Sequence, residues 1–377
     1  MNRGIEAGEP EIPSEIPQPL APLHRLLADG VGRAYPGAVL AVSHRGATVI
    51  RWAVGLRAIV PEPRPATADT IYDLASLTKV VSTLPLILQG VAEGRIVLDA
   101  PLRDYFRAAP VAAITIRQLL THSSGLPAWI PFYLQAKGSD AVLARAAATS
   151  PTTTPGSEVV YSDLGYILLG DVVCRALGAP LDILAERRIF TPLGMRDTTY
   201  LPSRLPLERI APTEDGTAIE QAMTGEAGRR HTWRRYLIWG EVHDSNAHAM
   251  GGVSGHAGVF GCADDLIAYA RMWLAGGRGP HGTVLAPHLV REATTSQVPG
   301  SGRGLGWALA GPKGWWNGAL SPRAYGHTGF TGTALAIDPD HDLAIVFLTN
   351  AVHLGRDRTE LLAIRPRIAA AVAEALL

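Results

Sequence analysis

The stretch GAVLAVSHRGATVIRW, residues 37–52, decides the fold class of this chain. Two runs rich in small and β-branched apolar residues, 37–43 and 47–52, flank the turn residues Arg45 and Gly46. Runs of this composition on either side of a short turn are typical of a β-hairpin. The sequence therefore predicts a pair of antiparallel strands close to the start of the chain.

A second strand pair is predicted near the other end of the chain. The apolar runs 333–337 and 343–348 are separated by Asp-Pro-Asp-His-Asp at 338–342, which supplies residues favoured in turns. A closing helix is predicted from Pro366, because apolar residues recur every four positions from Ile368 and proline is tolerated in a first helical turn.

The long middle of the chain is predicted to be mainly helical. Apolar residues share one helical face from Val80 to Val91, although Pro85 is expected to kink this helix because it removes a backbone donor. Shorter helical patterns cover 116–120 and 164–177. The pattern predicts an α/β (α+β) fold, in which an antiparallel sheet of N- and C-terminal segments is flanked by helices and joined to a mainly helical subdomain.

The predicted organisation is a short lead-in followed by one large unit. Residues 1–18 are rich in Glu and Pro and lack the apolar core of a signal peptide, so a disordered lead-in is expected there. Residues 19–377 are expected to form a single unit. Its α/β part is assigned to 19–68 and 255–377, and its helical part, which includes an insert, to 69–254.

Composition disfavours several classes of partner. The formal net charge is zero, so the chain lacks the basic excess that nucleic acid or an anionic membrane surface requires. Cys174 and Cys262 form neither a disulfide framework nor a metal-ligand spacing, and no cofactor is expected. No apolar run of bilayer-spanning length is apparent in the sequence. The sequence as written predicts a cytoplasmic protein, or a periplasmic or extracellular one if an export signal has been removed; it leaves the oligomeric state open.

One lysine carries the first chemical signal. Of the 34 basic side chains 31 are arginine, and one of the three lysines, Lys79, follows Ser76 by three positions. Side chains at this spacing on a helix are neighbours. A serine needs a base to become a nucleophile, and a lysine, unlike an arginine, can lose its proton when burial lowers its pKa. The spacing fits a nucleophile and its base, and it also fits a surface lysine on an ordinary helix.

Two further stretches favour the catalytic interpretation of Ser76 and Lys79. Tyr161-Ser162-Asp163 lies in the middle of the chain, and His327-Thr328-Gly329 directly precedes the C-terminal hairpin. In this order and at these wide spacings, they and Ser76-Leu77-Thr78-Lys79 resemble the signature elements of the penicillin-recognising serine hydrolases. This family contains class C β-lactamases, D-alanyl-D-alanine carboxypeptidases of the penicillin-binding type and carboxylesterases. The resemblance covers most of the chain after about residue 20 and implies a beta-lactamase/transpeptidase-like fold.

The resemblance implies a role for each matched residue. Ser76 would be the nucleophile, and Tyr161 would share with Lys79 the proton relay that activates it. The backbone N–H groups of Ser76 and Phe330 would hold the oxyanion of a small-molecule ester or amide substrate. The acyl group would lie along the strand edge, to which Gly329 gives close access. The substrate-binding residues that it implies are Asp163, His327, Thr328, Gly329 and Phe330.

Two of these residues depart from the pattern of many β-lactamases. His327 stands where those enzymes have the lysine of Lys-Thr-Gly, and Asp163 stands where they have the asparagine of Tyr-x-Asn. A histidine is mostly neutral above pH 7, and a carboxylate cannot donate the hydrogen bond of an amide. Both departures weaken the prediction of efficient β-lactam hydrolysis.

The predicted function is a serine hydrolase that acts through an acyl-enzyme on ester or amide bonds, with an esterase placed first. The alternatives are a D-amino-acid peptidase or penicillin-binding-type carboxypeptidase, and a weak class C β-lactamase. Acyl transfer to an alcohol stays open, because the sequence does not show which acceptor enters the site. A non-catalytic protein that binds an acyl ligand is a further alternative.

Other catalytic sites are disfavoured. The chain contains no Gly-x-Ser-x-Gly turn of an α/β-hydrolase. His122 and His256 are interpreted as structural histidines. No metal site is predicted, because neither a His-x-x-x-His helix nor a Cys/His frame is present in the one cluster of candidate ligands, His243, Asp244, His248 and His256.

Aromatic residues near the motifs have two interpretations. Trp129, Phe132 and Tyr133 fit helical core packing as well as the wall of an apolar acyl pocket. Trp315 and Trp316 are expected at the rim of the cleft, because adjacent large side chains cannot both face one core.

Overall fold

The two hairpins predicted from the ends of the chain meet in the centre of one antiparallel sheet. This computed structural model describes residues 17–311, 314–355 and 357–377, except for the side chain of Ile219. The lead-in predicted at 1–18 lies almost wholly outside these residues.

The strands of the described residues form one large sheet and two small ribbons. They are β1 (Gly37–His44), β2 (Ala47–Ala58), β3 (Arg64–Pro65), β4 (Tyr72–Asp73), β5 (Phe260–Gly261), β6 (Arg278–Gly279), β7 (Gly282–Thr283), β8 (Ala308–Leu309), β9 (Tyr325–Thr328), β10 (Ala334–Asp338) and β11 (Leu343–Thr349). The large sheet has the order β3-β2-β1-β11-β10-β9-β8, and each pair of neighbouring strands is antiparallel.

The α-helices lie near both ends of the chain and recur throughout its middle. They are α1 (Ala21–Asp29), α2 (Leu84–Ala92), α3 (Ile116–Leu120), α4 (Ser139–Ala147), α5 (Asp163–Leu177), α6 (Leu181–Ala185), α7 (Thr191–Leu193), α8 (Ala218–Thr224), α9 (Ser245–Ala249), α10 (Ala263–Leu274), α11 (Pro287–Ala293) and α12 (Thr359–Leu376). This architecture confirms the predicted mixed fold with its antiparallel sheet.

Strand β1 lies in the middle of the sheet and is buried along almost its whole length. Successive side chains of a strand point to opposite faces. Ala38, Leu40 and Val42 accordingly pack in the core that contains α1 and α12, whereas Val39 and Ala41 pack in the core that contains α10. The central pair of the sheet is β1 with β11, so the two ends of the chain are joined there.

The helix that follows Ser76 differs from its prediction. A 3₁₀ turn (Ala75–Leu77) is followed by a π-helical turn (Lys79–Thr83) and only then by α2. Pro85 lies in the first turn of α2, which continues directly from the π-helical turn. Pro85 has no N–H to donate to the preceding turn, and the Tyr269 hydroxyl donates a hydrogen bond to the Val80 carbonyl there.

The stretch Ala75–Ala92 is, by length and composition, long and apolar enough to cross a membrane, and the sequence analysis did not identify it. It is 78% buried inside the protein, as the core helix of a soluble fold would also be.

The closing helix begins earlier than predicted. α12 starts at Thr359, and Pro366 lies inside it. Leu361 and Ile364 are buried in the same core as Ile368, so packing of the first turns offsets the hydrogen bond that Pro366 cannot make. The prediction used only the apolar repeat after the proline and therefore missed these turns.

One backbone contact holds the loop after Gly255 against the helical half of the molecule. A Cβ atom placed on Gly255 would lie 2.1 Å from the carbonyl oxygen of Tyr166 in α5. Thr83 Oγ1 also donates a hydrogen bond of 2.7 Å to the carbonyl oxygen of Gly255. The next carbonyl, that of His256, faces Lys79 Nζ at 3.1 Å, so this contact positions a wall of the site described below.

We expect Gly255→Ala to lower the free energy of unfolding by about 3 kcal/mol, because backbone atoms cannot move aside for the new methyl group. Chemical denaturation followed by circular dichroism measures this change. Gly165→Ala, in α5, is the matched control, since its Cβ would meet nothing closer than 3.4 Å. The control should raise stability by up to about 1 kcal/mol through helix propensity. Equal stability of the two variants would contradict the packing argument.

Candidate active site

A buried lysine joins three separate segments of the chain. Lys79 Nζ donates hydrogen bonds to Ser76 Oγ at 2.9 Å and to the carbonyl oxygen of His256 at 3.1 Å. It also lies 2.7 Å from Oδ1 of Asp163, the first residue of α5. The Lys79 side chain is fully buried, and the Asp163 side chain is 19% exposed. Ser76, Lys79 and Asp163, predicted from separate motifs, are thus brought together.

The charge of Lys79 differs from the expectation. Burial alone lowers the pKa of Lys79, as predicted, but the Asp163 carboxylate and then Tyr161 raise it by more, so the pKa lies above its ordinary value of 10.5. A buried ammonium with a carboxylate partner keeps its proton at neutral pH. Lys79 is therefore a cation that donates to Ser76 Oγ, and the sequence-based prediction of a neutral amine is wrong because it did not include this partner.

Tyr161 lies between two cations and a histidine. Lys79 Nζ is 4.9 Å and the Arg303 guanidinium carbon 5.7 Å from the centre of its ring. The His122 ring packs against it with a centroid separation of 4.4 Å. Nδ1 of His122 accepts the backbone N–H of Ser162 at 3.1 Å, and burial lowers the pKa of His122 well below its usual range. His122 is thus a neutral residue that orders the Tyr-Ser-Asp turn.

Strand β9 supplies the opposite wall of the site through His327 and Thr328. Burial, followed by the charges of Lys79 and Arg303, lowers the pKa of His327 to about 3. His327 is therefore neutral at pH 7, and its Nδ1–H donates a hydrogen bond of 2.8 Å to the Thr328 carbonyl. It contributes no fixed charge for a substrate anion.

Close packing leaves no room for a side chain at position 329. A Cβ atom at this position would lie 2.1 Å from Thr333 Oγ1 and 2.5 Å from the Leu74 carbonyl oxygen. The end of β9 therefore packs directly on the segment that leads into Ser76. The sequence analysis attributed this glycine to close approach of a ligand and did not foresee the contact.

Two cavities meet at Ser76. Their volumes are about 260 Å³ and about 310 Å³, and Ser76, Tyr161 and Phe330 line both. The smaller, which we call the arginine cavity, is also lined by Arg303, Trp315, His327 and Arg358. The larger, which we call the apolar cavity, is also lined by Trp129, Met223, Ala257 and Asp163.

The aromatic residues predicted near the site differ in whether they line a cavity. Trp315 lines the arginine cavity, whereas Trp316 is 1% exposed and belongs to a core. Trp129 lines the apolar cavity, whereas Phe132 and Tyr133 are buried. One member of each group therefore borders the site, while its neighbours serve packing.

Two arginines in the arginine cavity were not predicted. Arg303 is 8% exposed, and the Arg358 guanidinium lies 4.9 Å from the ring centre of Phe330. Burial lowers the pKa of both side chains. Among the residues that the structure describes, neither forms a salt bridge, and the Nε atom of each is buried without a hydrogen-bond partner. They supply the positive charge that His327 lacks.

Each of the three histidines considered as metal ligands lies beside a different carboxylate. Nε2 of His243 lies 2.9 Å from Glu214, and Nε2 of His256 lies 2.9 Å from Asp244. His248 lies 3.4 Å from Glu241. Within the described residues, no group of three or more His, Cys, Asp or Glu side chains could hold a metal ion.

Comparison with known proteins identifies relatives over nearly the whole chain. The model of a family described as Beta-lactamase matches residues 23–369. A protein of Escherichia coli O157:H7, by name a candidate D-alanyl-D-alanine carboxypeptidase, is 33% identical over 367 residues, which cover 88% of this chain and 82% of that protein.

Two solved structures share the fold. A penicillin-binding protein homologue from Caulobacter crescentus has a TM-score of 0.72 at 22% identity and covers 95% of this chain and 99% of that one. EstCE1, a hydrolase with promiscuous acyltransferase activity, has a TM-score of 0.72 at 21% identity and covers 94% of this chain and 98% of that one. At this level of identity these likenesses concern the fold alone, and they confirm its predicted beta-lactamase/transpeptidase-like class.

The charge of Lys79 can be measured directly, because the chain contains only three lysines, Lys79, Lys137 and Lys313. In protein labelled with ¹³C at lysine Cε, we expect the Lys79 resonance to titrate above the range of an ordinary lysine. In Asp163→Asn it should titrate at lower pH, because burial then acts without the opposing carboxylate. The Lys137 resonance is the internal control. An identical Lys79 titration in both proteins would show that Asp163 does not set its charge.

Proposed function

We propose that this chain, which belongs to the beta-lactamase family, hydrolyses ester or amide bonds through an acyl-enzyme on Ser76. The observation that carries the proposal is the bond of 2.9 Å between Lys79 Nζ and Ser76 Oγ at the junction of two cavities. A serine held by a buried cation where substrate can enter is the arrangement expected of a nucleophile. It also speaks against the non-catalytic alternative.

The proton of Ser76 passes to Tyr161 in this proposal. A charged Lys79 cannot accept it, since all its nitrogen valences are occupied. Tyr161 lines both cavities with Ser76, and its ring lies beside two cations, Lys79 and Arg303. Tyr161 then serves as the base during attack and as the acid that protonates the leaving group. Lys79 holds the Ser76 oxygen in place and stabilises its developing charge.

The backbone N–H groups of Ser76 and Phe330 hold the oxyanion in this proposal, as the family resemblance implies. Both residues line both cavities, so a carbonyl at their junction would place its two substituents in different surroundings. The acyl chain would occupy the apolar cavity, beside Trp129 and Met223. The leaving group would occupy the arginine cavity. Water would then release the acyl group.

Hydrolysis of p-nitrophenyl butyrate by the wild type and by Ser76→Ala tests the proposal. We expect turnover by the wild type and a loss of roughly three orders of magnitude or more in kcat for the variant, as removal of a nucleophile implies. Ser123→Ala is a control, because this buried serine does not line either cavity. Equal rates for Ser76→Ala and the wild type would refute the assignment of Ser76.

A carboxypeptidase is the second candidate activity, and the arginine cavity favours it. Arg303 and Arg358 form no salt bridge among the described residues, so their charges are available to an anionic group of the substrate. A carboxylate accepts charge-assisted hydrogen bonds from guanidinium groups. A peptide with a free C-terminal carboxylate on its leaving group would meet this requirement, and a relative of this chain is by name a candidate D-alanyl-D-alanine carboxypeptidase.

A carboxypeptidase of this kind should prefer a substrate with a free C-terminal carboxylate. We expect an N-acylated D-alanyl-D-alanine peptide to be cleaved with a higher kcat/KM than its C-terminal amide. Arg358→Met should lower kcat/KM for the free acid by roughly 10- to 100-fold, the value of a charge-assisted hydrogen bond, and leave p-nitrophenyl butyrate hydrolysis nearly unchanged. Arg303 also contacts the Tyr161 ring, so Arg303→Met should lower the rates for both substrates. Arg51→Met, which breaks an exposed pair with Asp264, is the control. Equal cleavage of acid and amide would exclude this role for the arginines.

A further inference from the structure

A buried carboxylate without a role in the reaction lies three residues before Ser76. Asp73, at the end of β4, is 1% exposed, and no salt bridge joins it to a cation among the described residues. Its two oxygens accept backbone hydrogen bonds, Oδ1 from Ala75 at 2.8 Å and Oδ2 from His243 at 2.7 Å. Burial raises its pKa, which is the usual response of a carboxyl group with little compensating charge. Burial of such a group is costly unless its hydrogen bonds are made, and here each oxygen accepts one.

The first of these bonds holds a strained residue. Ala75 has a φ angle of +48°, in the left-handed region that a residue with a side chain rarely adopts. This conformation sets the direction in which the chain enters Ser76 and its N–H group. Backbone strain of this kind is retained only when surrounding contacts impose it. The bond from the Ala75 N–H to Asp73 Oδ1 is such a contact.

The second bond reaches the opposite side of the oxyanion site. The His243 ring stacks on the Phe330 ring, with a centroid distance of 5.7 Å and an interplanar angle of 21°. Thr331 Oγ1, next to Phe330, donates a hydrogen bond of 2.7 Å to the backbone carbonyl of Asp73. Both contacts connect Asp73 to the segment that carries the Phe330 N–H group.

We propose that Asp73 is a positioning residue that fixes the separation of the Ser76 and Phe330 N–H groups. The inference rests on the proposed acyl-enzyme function, in which these two groups hold the oxyanion. Asp73 touches neither the substrate nor the reacting atoms. It acts by tying the Ala75 turn and His243, which come from distant parts of the sequence, to one rigid carboxylate. Its effect belongs to the tetrahedral transition state, where the oxyanion forms, rather than to substrate binding.

Asp73→Asn tests the proposal with little change in volume. The asparagine amide retains one acceptor oxygen and places an NH₂ group against the second backbone N–H, so one bond is lost. We expect kcat for p-nitrophenyl butyrate to fall by roughly 100-fold with KM nearly unchanged, as for a small displacement of catalytic groups. Binding of phenylboronic acid, which forms a tetrahedral adduct with a serine, should weaken by a similar factor. A merely structural carboxylate would not weaken this binding selectively.

Asp265→Asn is the matched control. Asp265 is also buried and accepts hydrogen bonds from the Asp197 N–H and from Thr198 Oγ1, both at 2.8 Å, but neither of these partners belongs to the segments that carry Ser76 and Phe330. Asp265→Asn should leave kcat, KM and phenylboronic acid binding unchanged. If kcat fell as much in Asp265→Asn as in Asp73→Asn, the effect would follow from the loss of any buried carboxylate, and the inference would be overturned.

Amide hydrogen exchange separates this inference from the proposed function. We expect peptides covering 74–78 and 328–332 to exchange faster in Asp73→Asn than in the wild type. If the wild type hydrolyses neither the ester nor the D-alanyl-D-alanine peptide but exchange rises in the variant, the proposed function fails and the positioning contact stands. If kcat, boronic acid binding and exchange are all unchanged in Asp73→Asn, the positioning role is excluded.

Discussion

The site depends on one constraint, which is that the buried ammonium of Lys79 must be paired. A charge removed from water is tolerated only when a partner and further hydrogen bonds replace its hydration. Asp163 supplies the partner from the start of α5, and the carbonyl of His256 supplies an acceptor from a distant loop. The remaining acceptor is Ser76 Oγ. The requirement to satisfy one cation thus brings together the helical half of the molecule, the loop after Gly255 and the nucleophile.

The positive charges of the site are divided between two places. Lys79 is neutralised locally by Asp163, whereas Arg303 and Arg358 line the arginine cavity without a salt bridge among the described residues. Neutral His327 lines the same cavity as the two arginines and adds no charge of its own. Many β-lactamases have the lysine of Lys-Thr-Gly where this chain has His327. In the proposed function, the two arginines supply positive charge from other positions in the sequence.

The sequence predicts those features that depend on local patterns. Both hairpins follow from apolar runs around turn residues, and the three motifs locate the residues around Ser76. The ion pair of Lys79 with Asp163 could not be predicted, because it joins motifs far apart in the chain and reverses the effect of burial on the lysine. Arg303 and Arg358 carry no signal in a chain with 31 arginines. The packing of Gly329 on the Leu74 carbonyl could not be predicted, since Leu74 is distant in sequence.

The pairing of β1 with β11 also has a consequence for biosynthesis. Ala38 pairs with Thr349, so the central contact of the sheet closes a loop of roughly 300 residues. During synthesis on the ribosome, one edge of β1 stays unpaired until β11 has emerged. A nascent chain of this topology exposes an apolar strand for most of its synthesis, which is when such edges associate with other chains. The pairing of β1 with β11 therefore sets how long this edge stays open to association with other chains during synthesis.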